Sequence, residues 1–259
     1  MISLEELVRQ YPQNLQHFKK RILAEYLQCQ ILQIIFNTKY ANKLSFLGGT
    51  ALRIMFDNNR FSEDLDFDNF GLTQQEFKEI IEEIVKKLIL EGYQMEMRIV
   101  FKGAYRCYLK FNDILFTNGV SKYESEKLTI QIDTAPHNFN YKPDIKILNK
   151  FDILTEIFVT PIDILFSQKI CAAFGRKRLK GRDFYDLLYI FGINKKINYD
   201  YLQVKLGITD AGTLKKYILK KSKALDLKAL ASDVQPLLFN PEDHKKVLLF
   251  KQYIEGLES

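Results

Sequence analysis

Residues Gly48-Gly49-Thr50 are followed, after thirteen residues, by Asp64-Leu65-Asp66-Phe67. Glycines let a backbone approach a ligand closely, and a helix N-terminus turns N–H donors toward an anion. Alternate strand positions point to one face. Asp64 and Asp66 can therefore converge on a cation while Leu65 and Phe67 pack inward. Hard carboxylate oxygens suit magnesium, or manganese in its place, and glycines beside them suit a triphosphate. Asp68 continues the alternation, but pairing the glycines with Asp66 and Asp68 lengthens the spacer. Asp64 and Asp66 are thus candidate metal ligands.

The elements that must hold these residues follow from periodicity. Residues 3–10 and roughly 14–38 read as helices, the second carrying the stripe Leu23, Leu27, Ile31, Ile34 and Ile35. "LSFLGG" reads as a buried strand ending in a turn, "TALRIMF" as a short helix and "DLDFDNF" as a strand. Thr73 and Glu76 form a capping-box pattern at the head of an amphipathic helix reaching about Leu90. Strand candidates "YQMEMRIVF", "YRCYLKFNDILF" and "KLTIQIDTA" follow, and beyond Pro143 strand signals fade apart from a stretch near Ile147 to Leu154. In the third of these, Thr129, Gln131 and Asp133 share one face and Ile130 and Ile132 the other. Pro161 opens a helix over "IDILFSQKICAAF", the basic "GRKRLKG" connects it to a helical "RDFYDLLYIF", and the remainder reads as helical. The predicted class is α+β, with the division near residue 155 between an N-terminal α+β region and a helical region.

Composition narrows the function classes. A 47% hydrophobic and 27% charged chain is that of an ordinary globular protein. No apolar run approaches the roughly 20 residues that span a bilayer, and "MISLEELVRQ" lacks a signal-peptide pattern, so a cytoplasmic protein with no membrane partner is expected. Cys29, Cys107 and Cys171 are far apart, as are His17, His137 and His244, which argues against a disulfide framework or a zinc site. Residues 151–259 hold 18 Lys and Arg against 13 Asp and Glu, a net of +5, whereas the first 150 carry a net of +1. A basic helical half suits a polyanion such as RNA, although solvated lysine helices read the same way.

The glycine–aspartate block resembles the first motif of the polymerase-β-type nucleotidyltransferase superfamily. Against that motif's spacer Asp64 and Asp66 are the preferred register and metal ligands, with Asp68 expected as an exposed acid at the strand end. It is more similar still to the AbiEii/AbiGii nucleotidyltransferase toxins of abortive-infection and toxin–antitoxin systems, through Gly48, Gly49, Thr50, Ala51, Leu52, Arg53, Arg60, Phe61, Ser62, Asp64 and Asp66. A later block, Lys169 followed by Arg182, Asp183 and Asp186 of "RDFYDLL", resembles the second motif of those toxins in order and separation. The resemblance implies a small mixed sheet flanked by helices, with a nucleotidyltransferase core over 1–155 including N-terminal helices. A helical domain over 156–259 would contribute Lys169 and the Arg-Asp-x-x-Asp motif. It implies a catalytic set of Asp64, Asp66, Asp133, Lys169 and Asp186. Gly48, Gly49, Thr50, Arg53, Ser62, Lys169, Arg182 and Asp183 would bind the nucleotide. It also implies an NTP substrate, magnesium, an acceptor such as tRNA or another RNA, with protein as the alternative, and a cognate antitoxin.

Taken one at a time, these features have simpler readings. A glycine pair is commonly a tight turn, Asp-x-Asp a solvated strand edge, Asp133 a turn former and Lys169 a snorkelling residue. Asp183 and Asp186 could be helix acids beside Arg182. Their joint order and spacing favours the enzyme over a catalytically silent nucleotide-, RNA- or partner-binding scaffold. An EF-hand starting at Asp57 fails at Phe61 and Ser62, and no Walker motif occurs. A metal-dependent glycosyltransferase also uses Asp-x-Asp, but leaves the glycine–threonine and Lys/Arg-Asp blocks without a role.

Overall fold

The computed structural model describes residues 2–193 and 195–257. The chain forms two units, Met1–Phe56 with Phe61–Thr160, and Asp57–Arg60 with Pro161–Ser259. In the first, α1 (Leu4–Arg9) opens on a Ser3–Glu6 capping box. α2 (Lys19–Phe36) is buried on most of its faces, as a helix rich in apolar residues all round should be. β1 (Leu44–Leu47), α3 (Gly48–Met55), β2 (Leu65–Asn69) and α4 (Gln74–Leu90) follow. Then come β3 (Met95–Lys102), β4 (Ala104–Phe111), α5 (Ile114–Thr117), β5 (Leu128–Pro136), β6 (Asp144–Lys150) and β7 (Ile153–Val159). The expected capping box of α4 forms, with the Glu76 N–H donating to Thr73 Oγ1 at 3.2 Å and the Thr73 N–H to Glu76 Oε2 at 2.8 Å.

Among the described residues the strands make one seven-stranded sheet in the order β3-β4-β5-β2-β1-β7-β6. β1 with β7 and β2 with β5 run parallel and the other pairs antiparallel, so the sheet is mixed, as expected. One face of its centre, with Leu65, Phe67, Cys107, Leu109, Ile130 and Ile132, is buried core. The other carries Asp66, Arg106, Tyr108, Thr129, Gln131 and Asp133, which lie between half-buried and exposed.

Three local expectations need correction. The glycines form the first turn of α3 instead of a turn before it. β4 ends at Phe111, where Asp113 takes φ +50° and the chain enters α5. The region beyond Pro143 is the β6–β7 hairpin. Its alternation is masked because Ile145, Ile147 and Leu154 sit on exposed positions, leaving apolar residues on both faces.

The second unit is helical, with α6 (Ile162–Gly175), α7 (Gly181–Gly192), α8 (Tyr199–Leu206), α9 (Ala211–Ser222), α10 (Leu227–Val234), α11 (Lys245–Leu248) and α12 (Phe250–Gly256). Side chains of Asn198, Asp210 and Asp226 accept from backbone N–H groups at the starts of α8, α9 and α10. Phe184 lies against Phe174 and Phe250, with ring centroids 5.6 and 5.2 Å away, at the centre of this bundle. The first unit continues through β7 to Thr160, past the division expected at 155. No helix among the described residues is long and apolar enough to cross a membrane.

Candidate active site

In the first unit the glycine and aspartate motifs meet. β1 and β2 are antiparallel neighbours with Leu47 opposite Asp66, which brings the end of β1 beside that carboxylate. Gly48, next in the chain, has φ +82°, and a Cβ there would lie 2.4 Å from Asp66 Oδ2 and 3.1 Å from its Cβ and Cγ. Both the backbone conformation and the close approach therefore require glycine. α3 starts here, and the N–H groups of its first turn lack intrahelical partners. Thr50 is fully buried, and its hydroxyl donates to the Asp64 backbone carbonyl, fixing the residue before β2. Gln28 of α2 performs a similar task, its amide donating to the carbonyls of Ser62 and Glu63 at 3.0 and 2.9 Å. Sequence reasoning missed Gln28, although a buried polar residue within an apolar helix was its signal.

Asp66 is in register with Asp133 of the parallel neighbour β5. The Asp133 carboxylate accepts from Arg106 Nε at 2.6 Å and from Gln131 Nε2 at 2.7 Å. Asp68 is not the exposed strand-end acid that the alternation suggests. It is 8% exposed, accepts from the Tyr141 hydroxyl at 2.6 Å and pairs with His137 Nδ1 at 2.8 Å, because the segment after β5 covers it. Asp64 and Ser62, both half-buried, open onto a cleft in the same unit. Among the described residues no group of three or more His, Cys, Asp or Glu is arranged to hold a metal ion. Two carboxylates completed by phosphate oxygens and water are nonetheless the usual setting of magnesium. The hard oxygens of Asp64 and Asp66, beside a glycine that leaves room against Asp66, fit such an ion.

Arg53 lies in a buried network: its Nε donates to Glu25 Oε2 at 3.1 Å, and Lys150 and the Tyr11 hydroxyl engage Glu25 Oε1. Burial pushes the Glu25 carboxyl up, but Lys150 and Arg53 outweigh it and hold the group below the ordinary carboxylate range. The arginine of the "ALR" motif thus neutralises a core carboxylate.

The second unit gathers the later motif. Asp186 on α7 is fully buried and takes two hydrogen bonds from Arg60, Nε to Oδ1 and Nη2 to Oδ2, both at 2.7 Å. Asn58 Nδ2 donates to Oδ1 at 2.8 Å, and Lys169 Nζ on α6 lies 2.8 Å from Oδ2. Burial pushes the Asp186 carboxyl up, yet Arg60 and Lys169 prevail and bring it down to about 2. Lys169 is 7% exposed and also faces Asp183 Oδ1 at 3.5 Å, while Arg176 Nε reaches Asp183 Oδ2 at 3.3 Å. Arg182 is half-buried in the first turn of α7. Two residues conspicuous in the sequence motifs, Arg60 and Asp186, are therefore each other's partners, and Asn58 is an addition that no spacing announced.

The family model for the nucleotidyl transferase AbiEii toxin of type IV toxin–antitoxin systems matches residues 30–242. No curated protein is significantly similar in sequence. Among solved structures, MenT4, a nucleotidyltransferase toxin from Mycobacterium tuberculosis H37Rv, superposes with a TM-score of 0.59 at 15% identity, covering 100% of this chain and 91% of that one. JHP933 from Helicobacter pylori superposes with a TM-score of 0.55 at 20% identity, covering 90% of this chain and 91% of its own. At these identities the likeness speaks for the fold.

Proposed function

This chain belongs to the AbiEii family of nucleotidyltransferase toxins and is a nucleotidyltransferase, and from that premise we propose that it transfers a nucleoside monophosphate from a magnesium–NTP complex to a hydroxyl of RNA, such as a tRNA end. The observation that supports the reading is the close approach of Gly48 to Asp66, which sets a helix N-terminus directly against that carboxylate. The N–H groups opening α3 then receive the triphosphate. Asp64 and Asp66 would hold the ion. When bound, it neutralises charge on the phosphates and orients the α-phosphate for in-line attack.

The acceptor oxygen attacks the α-phosphorus, the bond to the β-phosphate oxygen breaks, and pyrophosphate leaves. Asp133, oriented by Arg106 and Gln131, accepts the hydroxyl proton. Within the second unit Asp183 and Asp186 hold the Lys169 ammonium in place, a fixed cation of the kind that suits a phosphate. In this reading Asp186, Thr50 and Arg53 are positioning residues, Thr50 acting through Asp64 and Arg53 through the buried Glu25 network. Gly49 and Ser62 remain proposed nucleotide contacts, and Arg182 a proposed phosphate contact of the second unit. The loop with exposed Arg176, Lys177 and Arg178 and half-buried Lys180 is offered to RNA phosphate.

Incubating the protein with each labelled NTP, magnesium and total RNA tests the reading. Label in RNA that is lost with Asp66→Asn and with chelator is expected. Transfer to protein alone would replace RNA as acceptor, and no transfer to either would reject the activity. In the same reading the partner is an antitoxin, and an open reading frame for one beside this gene is the corresponding genomic expectation.

A further inference from the structure

The sheet order β4-β5-β2-β1 sets the two sides of the acid pair apart. Gly48 and the start of α3 continue β1, on one side of Asp66 and its register partner Asp133. On the other side, over the polar face of β4 and β5, lies a half-open cleft of about 360 Å³. Its wall includes Asp64, Gln131 and Tyr108, and its rim Lys20, Arg21 and Lys127. Tyr108 and Gln131 are opposite each other in the β4–β5 register, two residues along each strand from the Arg106–Asp133 pair and on the same face.

We propose that this cleft holds the 3′-terminal nucleotide of the RNA acceptor, its base against Tyr108 and its backbone phosphates among Lys20, Arg21 and Lys127. The inference rests on the nucleotidyl-transfer reading above for the identity of what enters. Its location rests on the strand order: a triphosphate at the α3 N-terminus leaves the β4–β5 side of the acids for the attacking group. An aromatic ring, an amide and three cations around one cleft match a nucleotide, since bases stack on aromatic side chains and phosphates draw basic ones. The cations are held by Glu126, Glu63 and Glu96 at 2.5, 2.5 and 2.7 Å. These pairs are partly exposed, so exchanging the glutamates for phosphates costs little. The glutamates also screen the cleft from indiscriminate anions, which leaves the stacked base to decide occupancy.

The test uses the full-length protein with a short 5′-labelled single-stranded oligoribonucleotide, followed by fluorescence anisotropy, and equilibrium dialysis of labelled NTP with magnesium. Tyr108→Ala is expected to weaken oligoribonucleotide binding about tenfold or more, with Tyr108→Phe near wild type and NTP affinity held within about twofold. Lys20→Ala with Lys127→Ala, two surface changes that should not disturb folding, are expected to lower the salt slope of RNA binding by about 2. Wild-type RNA affinity in Tyr108→Ala, or a parallel loss of NTP affinity, overturns the assignment. Tyr108-dependent RNA binding without label transfer would fail the activity and keep the cleft. Label transfer with an acceptor KM unmoved by Tyr108→Ala would fail the cleft and keep the activity.

Discussion

Replacing Gly48 by alanine separates a backbone effect from a catalytic one. Gly48 and Gly71 have nearly the same left-handed φ, +82° and +81°. A Cβ at Gly71 meets nothing within 4 Å, whereas one at Gly48 would lie 2.4 Å from Asp66 Oδ2. Holding an L-residue in this conformation costs about 1–2 kcal/mol, which for a chain of this size lowers Tm by roughly 2–8 °C. Both variants should show that loss. The clash with Oδ2 adds little to it, because the carboxylate can rotate away, and the 3.1 Å approach to Asp66 Cβ asks for a shift of only a few tenths of an ångström. Rotation, however, moves the carboxylate by about 1 Å or more, and misplacement on that scale costs on the order of 10² in rate, or about 2.7 kcal/mol of barrier. Thermal melting and single-turnover transfer to RNA, run on Gly48→Ala and Gly71→Ala side by side, measure the two quantities. Equal activity in the two variants would refute the placement of Asp66 at the reacting centre. A Gly48→Ala protein that melts far below Gly71→Ala would show that the backbone yields instead of the carboxylate.

Arg60→Ala removes one of the two cations on fully buried Asp186, leaving Lys169 and Asn58, and should destabilise the helical unit by about 3 kcal/mol in urea unfolding, well beyond an exposed arginine. Asp186 sits at about 2 against an ordinary 3.8, so it binds a proton less readily folded than unfolded. Its stabilisation, about 2 kcal/mol, is therefore present above pH ~4 and lost as the pH falls from there toward 2, and acid titrations of stability should flatten in Asp186→Asn. Lys177→Glu with Arg178→Glu, which spares the Arg176–Asp183 pair, should weaken RNA binding and leave NTP affinity intact in the same dialysis assay. Equal loss of both would put this loop at the nucleotide.

What local chemistry controls was legible along the chain. The α4 capping box depends on residues three apart, and both its bonds form. The single-face pattern of Thr129, Gln131 and Asp133 follows from the strand repeat, as does the inward packing of Leu65 and Phe67. The motif order was enough to bring out the family, which the match over residues 30–242 shows. Other assignments depend on partners distant in sequence. Asp68 and Asp66 are equivalent in periodicity, and only the segment bearing His137 and Tyr141 buries one of them. Arg53 reads as a ligand for phosphate until Glu25, twenty-eight residues away, is seen to occupy it. Arg60 and Asp186 lie 126 residues apart, and their bidentate pair exists only because residues 57–60 fold with the second unit. The strand repeat decides which face a carboxylate takes, but a charged side chain is settled by the opposite charge that burial leaves beside it, and only the tertiary structure supplies that neighbour.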